Sequence, residues 1–421
     1  MDKYAEKRLL HTPEGVRDIY GRELLKKLTV QDKLMHTFAS FGYKNIQTPV
    51  FEFFDVFGSE IGTTRSNELY KFFDKEGNTL VLRPDITPSI ARVATTIYES
   101  EDMPVRLCYK GNTFINHSNY LGRLRENTQL GAELIGVDSI EADAEMIAMA
   151  VESLKEVGLK DFQIHIGNVD FFEGLIKETK LEETDELHLR ELIGNRNSFG
   201  VDELLENKQA KVTVKTAFQI LPELIGGIEV LKEAKKIALN FETLEAVKRL
   251  ENIYEILVSY GVEKYVTFDL SMNGTYGYYT GIIFRGYTYG TGDAIVKGGR
   301  YDNLLEKFGK ASPSIGFVIV VDELMSAFSR QKTAIPYEYK TTYILYDEGR
   351  HGEAVSLAKD FRKNGKQTEI AKKNASRNLE SYVAYAKQNM CISMMYLKNN
   401  NEIEMINLLT GKAKTVTKKI K

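Results

Sequence analysis

The residues whose types and spacing are best suited to chemistry lie between Val105 and Gly136, in VRLCYKGNTFINHSNYLGRLRENTQLGAELIG. The stretch reads as two strands joined by a polar loop. In the second strand Thr128, Leu130, Ala132 and Leu134 alternate with Gln129, Gly131, Glu133 and Ile135, the period of an extended chain. Gln129 and Glu133 therefore share a face, about 13 Å apart or less, with Gly131 bare between them. An amide and a carboxylate flanking an open patch on a rigid strand suit a small polar molecule carrying an ammonium or an imidazole. An edge strand with a solvated polar face has the same pattern, and both readings stand at this point.

Asp85 is a second candidate. YKFFDKEGNTLVLRPD (70–85) reads as a hairpin turning at Glu76-Gly77-Asn78. Thr87 followed by Pro88 predicts an N-cap with a first-turn proline, opening a helix that buries Ile90, Val93 and Ile97. Asp85 is left in the short link between strand and helix, where side chains reach into clefts. A plain turn residue fits there equally well.

The elements that must position these residues follow in order. Apolar positions from Leu24 to Phe38 predict a long amphipathic helix over 21–41. FGYKNIQTPVFE (41–52) is a strand interrupted at Pro49, which belongs at an edge or an interface because proline cannot donate to a ladder. IEADAEMIAMAVESLKEVG predicts a helix and FQIHIGNV a strand. From 171 to 262 strand signals vanish and helical periodicity dominates, marking a helical insertion. Strand character returns with YVTFDLSM, YYTGIIFRGYTY, DAIVKGGRYDNLL and SIGFVIVVDELMSAF, with KGGRYD read as a glycine-rich turn leading into a helix. A polar linker (331–340) precedes alternating strands and helices over 341–421, a small α/β domain.

With 421 residues, 43% hydrophobic and 27% charged, the chain has the composition of a globular protein of two or three domains. A formal charge of −3 excludes a strong overall field for nucleic acid. The charge is uneven, since residues 341–421 hold 15 Lys/Arg against 8 Asp/Glu; a solvated basic tail explains this more simply than an RNA face. Cys108 and Cys391 sit in apolar runs and read as core thiols of a reducing compartment. The six histidines show no metal-ligand spacing, so neither a metal nor another cofactor is expected. No run of 18 apolar residues predicts a membrane span, and the charged opening MDKYAEKRLL predicts no secretory leader. A soluble cytoplasmic protein is expected.

This order of segments resembles histidyl-tRNA synthetase and its non-catalytic relative, the regulatory subunit of ATP phosphoribosyltransferase. FGYKNIQTPVFE resembles the class II synthetase dimer motif, and LCYKGNTFINHSNYLGRLRENTQLGAELIG the second class II motif. YYTGIIF and GGRYDNLL resemble the two histidine-specific signatures, and SIGFVIVVDEL the third motif. The resemblance implies an α+β fold: a class II antiparallel sheet core over 1–330 with its helical insertion at about 171–262. The linker and a shortened anticodon-binding-like α/β domain would follow.

The resemblance also separates the two relatives. Synthetases clamp ATP with arginines, permanently charged and bidentate. Here Ile115 follows Phe114 where the second motif carries an arginine. Asp322 and Glu323 stand at the Glu-Arg pair of the third motif, and Gly274 opens the first histidine signature in place of its arginine. Each such group contributes on the order of 2–4 kcal/mol to developing charge, so adenylation is not expected. The positions that meet histidine in the family persist as Asp85, Thr87, Gln129, Glu133, Tyr278 and Tyr279. By resemblance Asp85, Thr87 and Gln129 hold the α-ammonium, and Glu133 and Tyr279 meet the imidazole. Arg123 is the candidate for the carboxylate. The expectation is a histidine-binding regulatory subunit, homodimeric through the Pro49 region. Its partner would be the short catalytic ATP phosphoribosyltransferase, and tRNA is not an expected partner. The alternatives are a histidyl-tRNA synthetase, favoured by the basic C-terminal domain, and an RNA-binding module.

Overall fold

The computed structural model describes residues 9–58, 64–99, 104–117, 123–272, 279–337 and 341–417. Tyr278 and Gly274, both named above, lie outside the described residues. The chain divides into two compact units: one runs to Asp18 and from Val30 to Ile335, and the other takes Ile19–Thr29 with Pro336 onward. The fold class is α+β, as expected.

The first half of the chain runs helix α1 (Gly21–Ser40), strands β1 (Lys44–Asn45), β2 (Phe51–Phe53), β3 (Lys71–Phe73) and β4 (Thr79–Leu82), then helix α2 (Thr87–Thr96). It continues with β5 (Val105–Phe114), β6 (Glu126–Ile135), helix α3 (Ile140–Glu156) and β7 (Phe162–Asn168). Helices α4 (Val169–Thr179), α5 (Glu183–Gly194), α6 (Ser198–Asn207) and α7 (Val212–Ile220) follow. After them come β8 (Ile225–Gly226), α8 (Val230–Ile237), α9 (Phe241–Tyr260) and β9 (Val266–Asp269). The unit closes with β10 (Ile282–Thr288), β11 (Val296–Arg300), β12 (Ser314–Val320) and α10 (Val321–Arg330).

Nine strands form one sheet in the order β1-β5-β6-β12-β11-β10-β7-β9-β8, mostly antiparallel. Strand β6 lies between β5 and β12, so it is a central strand and not a solvated edge. Its alternation is real, but both faces are covered. Leu130, Ala132 and Leu134 pack into the large core beside α3, and Ile135 packs with α2 on the other side. The helical insertion is tied to the sheet by a buried ionic cluster. Asp143 of α3 is fully buried and accepts from Arg300 of β11 at 2.5 Å and from Arg249 of α9 at 2.7 Å. Burial raises the Asp143 carboxyl, and the two guanidiniums oppose that rise. Removing one partner would strand a buried charge, which is why such clusters are hard to alter piecemeal.

Several expected details change. The strand over 41–52 is broken at Thr48–Pro49: β1 joins β5 in the large sheet, whereas β2 joins β4 and β3 in a three-stranded one. Buried Arg83 is the reason, because its guanidinium takes the carbonyls of Thr48 and Pro49 at 3.0 Å each and that of Asn112 at 2.8 Å. Thr87 is the first helical residue and not the cap; Asp85 Oδ1 instead accepts from the N–H groups of Ile86 (2.7 Å) and Thr87 (3.3 Å). Ile97 lies past the end of α2 and is 73% exposed. KGGRYD is no turn: Gly298 and Gly299 sit inside β11, and only a short 3-10 turn at Leu305–Phe308 follows. A Cβ at Gly298 would lie 2.4 Å from the Phe284 ring and one at Gly299 2.6 Å from that of Tyr279, so packing, not chain reversal, selects glycine. The insertion also contributes β8, which pairs with β9 at the sheet's end.

In the second unit β13 (Thr341–Tyr346), helix α11 (His351–Lys363), β14 (Gln367–Lys372), helix α12 (Leu379–Gln388), β15 (Cys391–Leu397), β16 (Glu402–Asn407) and β17 (Ala413–Thr417) alternate as anticipated. They form a five-stranded sheet ordered β14-β13-β15-β16-β17. Among the described residues no helix is long and apolar enough to cross a membrane.

Candidate functional site

Glu133 is 1% exposed, and three hydroxyls converge on its carboxylate. Thr87 Oγ1 and Tyr109 Oη each donate to Oε1 at 2.9 Å, and Tyr301 Oη donates to Oε2 at 2.5 Å. The donors come from different elements: the first turn of α2, strand β5, and the residue after β11. Burial pushes the Glu133 carboxyl up to about 7, with the three hydroxyls holding it below where burial alone would set it. Burial next to this carboxylate in turn raises the Tyr109 and Tyr301 phenols.

Register explains how the carboxylate fits. Glu133 faces Leu107 of β5 and Gly316 of β12. A Cβ on Gly316 would fall 1.5 Å from Glu133 Oε2, so the side chain lies across that glycine. The bare patch expected at Gly131 is filled. Tyr109 is its cross-strand partner, and a Cβ on Gly131 would come within 2.5 Å of the phenol oxygen. The missing side chain makes room for a hydroxyl donor and not for a ligand.

Open space begins beside this cluster, in a cleft of about 90 Å³. Asp85, Thr87, Gln129, Glu133 and Tyr279 all line it, so the structure brings together five of the seven residues singled out from the sequence. Tyr278 lies outside the described residues, and Arg123 is exposed and does not line the cleft. Gln129 Oε1 is buried and has no hydrogen-bond partner among the described residues. A buried acceptor left unpaired costs about 1–3 kcal/mol, and here it borders a cavity able to receive a donor. Ile115 lines the same cleft. Asp322 is turned to structure, accepting from the Thr128 N–H at 2.7 Å.

Sequence reasoning missed three lining or supporting side chains. Tyr109 was signalled by its place opposite Gly131 in the hairpin, and Tyr301 by its place in GGRYD, but neither was assigned a role. Lys297, two residues before Gly299, also lines the cleft, with Nζ 2.9 Å from Asp293 Oδ2.

The sequence matches the histidyl-tRNA synthetase family over residues 15–324. An ATP phosphoribosyltransferase regulatory subunit of Acetivibrio thermocellus is 38% identical over 97% of both chains. The chain belongs to the family of ATP phosphoribosyltransferase regulatory subunits. A Bacillus halodurans structure described as an ATP phosphoribosyltransferase regulatory subunit/histidyl-tRNA synthetase superposes with a TM-score of 0.83 at 30% identity, over 93% of this chain and 99% of that one. The histidyl-tRNA synthetase of a Nostoc species shares the fold alone, at 19% identity and a TM-score of 0.80, over 97% and 96% of the two chains. Membership in a regulatory-subunit family fits a non-catalytic role in histidine biosynthesis.

The raised Glu133 carboxyl makes stability depend on pH. The folded group titrates near 7 and the unfolded one near 4.5, so between these values the folded state keeps a proton that the unfolded state has shed. Its contribution is complete below about 4.5 and is lost as pH rises through 7, by up to a few kcal/mol. Thermal unfolding should show a fall in Tm from pH 5 to pH 8 that is smaller in Glu133→Gln. An unchanged pH slope in that variant would contradict the assignment.

Proposed function

We propose that this chain binds L-histidine in the Glu133 cleft and passes that signal to a short catalytic ATP phosphoribosyltransferase subunit, giving feedback control over the first step of histidine biosynthesis in the cytoplasm. The observation that carries the reading is the buried Gln129 Oε1, unpaired among the described residues, beside a buried carboxylate in a polar cleft. In this reading Gln129 and Asp85 receive the α-ammonium, with Asp85 also holding the helix start and Thr87 fixing Glu133. Glu133 and Tyr279 face the imidazole. Glu133 accepts from three hydroxyls and a carboxylate has acceptor capacity for one more donor, which an imidazole N–H supplies and an apolar ring of the same shape does not.

Sensing without activation suits the rest of the site. Ile115 offers hydrocarbon to the cleft. Glu323 is half-buried, and its carboxyl is raised first by burial and then by nearby Asp293. With Asp322 these acids would repel a triphosphate rather than clamp it.

The chain is further proposed to form a homodimer through the Pro49 region. Val50, Phe51 and Phe53 are exposed around that segment, Phe53 to 55%, and Phe72 of β3 shares the sheet face of Phe51 and Phe53. Phe51 meets Phe72 edge-on with ring centroids 5.8 Å apart. An apolar sheet face of this kind is an association surface. Light scattering should give a dimer at micromolar concentration and a shift toward monomer in Phe53→Glu; a monodisperse wild-type monomer would refute the interface.

Calorimetry tests the ligand. L-Histidine should bind the wild type, L-phenylalanine should not, and Gln129→Leu should weaken histidine by about tenfold or more, the equivalent of about 1.4 kcal/mol. Absence of histidine binding, or equal binding of phenylalanine, would overturn the proposal.

A further inference from the structure

The histidine reading leaves one part of an amino acid unaccounted for. The ligand is a zwitterion, and the residues assigned so far answer only its ammonium and its imidazole. Arg123, the sequence-level choice for the carboxylate, is exposed and does not line the cleft; its charge acts on Asp293. Among the described lining residues Lys297 is the cation.

We propose that Lys297 receives the ligand's α-carboxylate and so sets the cleft's selectivity for an amino acid over the corresponding amine; this rests on the histidine reading above. Lys297 belongs to a cross-strand row running Gly131, Val318, Lys297, Arg285 over four adjacent strands. Cross-strand partners project from the same face of a sheet, so Lys297 stands on the face that holds Glu133. It lies two strand spacings from Gly131, about 10 Å, a distance that a lysine side chain and an amino-acid backbone together bridge. The cleft is thus polar along its length, with Asp85 and Glu133 toward one side and Lys297 toward the other.

One further feature favours an anion at Lys297. Its partner Asp293 is four residues away and 46% exposed, and the Lys297 side chain is itself 26% exposed. Asp293 is the more exposed of the two, so water can reach its carboxylate when the ammonium turns to another one. The plainer role for Lys297, a surface partner of Asp293, predicts no dependence on the ligand's carboxylate. That difference makes the two roles separable.

The test compares L-histidine with histamine, which lacks the carboxylate, by calorimetry on the wild type, Lys297→Met, Lys297→Arg and Arg123→Ala. The wild type should prefer histidine by about tenfold or more. Lys297→Met should lose that preference, with histamine affinity unchanged within about twofold; Lys297→Arg should keep it. Arg123→Ala should behave as wild type. Equal weakening of both ligands by Lys297→Met would show a structural role and overturn the assignment. A collapse of the preference in Arg123→Ala would place the carboxylate there instead. Failure of the wild type to bind either ligand would sink the histidine reading itself, a result distinct from failure of the Lys297 assignment alone.

Discussion

The structure of the site depends on one constraint: a carboxylate, Glu133, held out of water on the central strand of a sheet. An ionised carboxylate in that position is costly unless it is hydrogen-bonded. The molecule meets the cost with three hydroxyls brought from the start of α2, from β5 and from the segment after β11. Each neighbouring glycine is then explained by what must pass over it. Gly316 clears the path of the carboxylate, and Gly131 clears the ring of Tyr109. Strand register, helix start and glycine placement are consequences of one buried charge.

The same arrangement explains why the site suits recognition. Its hydroxyl donors are spent on fixing Glu133, so the carboxylate is rigid and pre-set, and a ligand does not have to order it. The polar groups that line the cleft beside it are few and differ in character: the Gln129 amide oxygen, Asp85, and Lys297 across the sheet. Asp322 is committed to the β6 backbone, and Asp293 beside Glu323 raises that carboxyl further than burial alone.

Much of this was legible before any coordinates. Period-two alternation placed Gln129 and Glu133 on one face, and the strand-to-helix link placed Asp85 near them. Resemblance to the family supplied Thr87 and Tyr279. What was hidden depends on neighbours distant in sequence. A glycine in a strand has no side chain to announce its purpose, so Gly131 read as open space and Gly298-Gly299 as a turn. Their real partners, Tyr109, Phe284, Phe317 and Tyr279, are known only once the strands are paired. Arg83, which breaks the strand at Pro49, acts through backbone carbonyls that carry no sequence signature. Lys297 was passed over because it sits in a glycine-rich segment taken for a turn, when strand geometry turns it into the cleft's face.

The central claim is that occupancy of this cleft governs a partner enzyme. The most direct measurement is the initial rate of the catalytic ATP phosphoribosyltransferase reconstituted with this chain, followed as L-histidine is raised, for wild type and Gln129→Leu. The account predicts that histidine inhibits the wild-type complex and that the variant complex turns over normally but needs far more histidine for the same inhibition. Identical inhibition curves for the two complexes would contradict it.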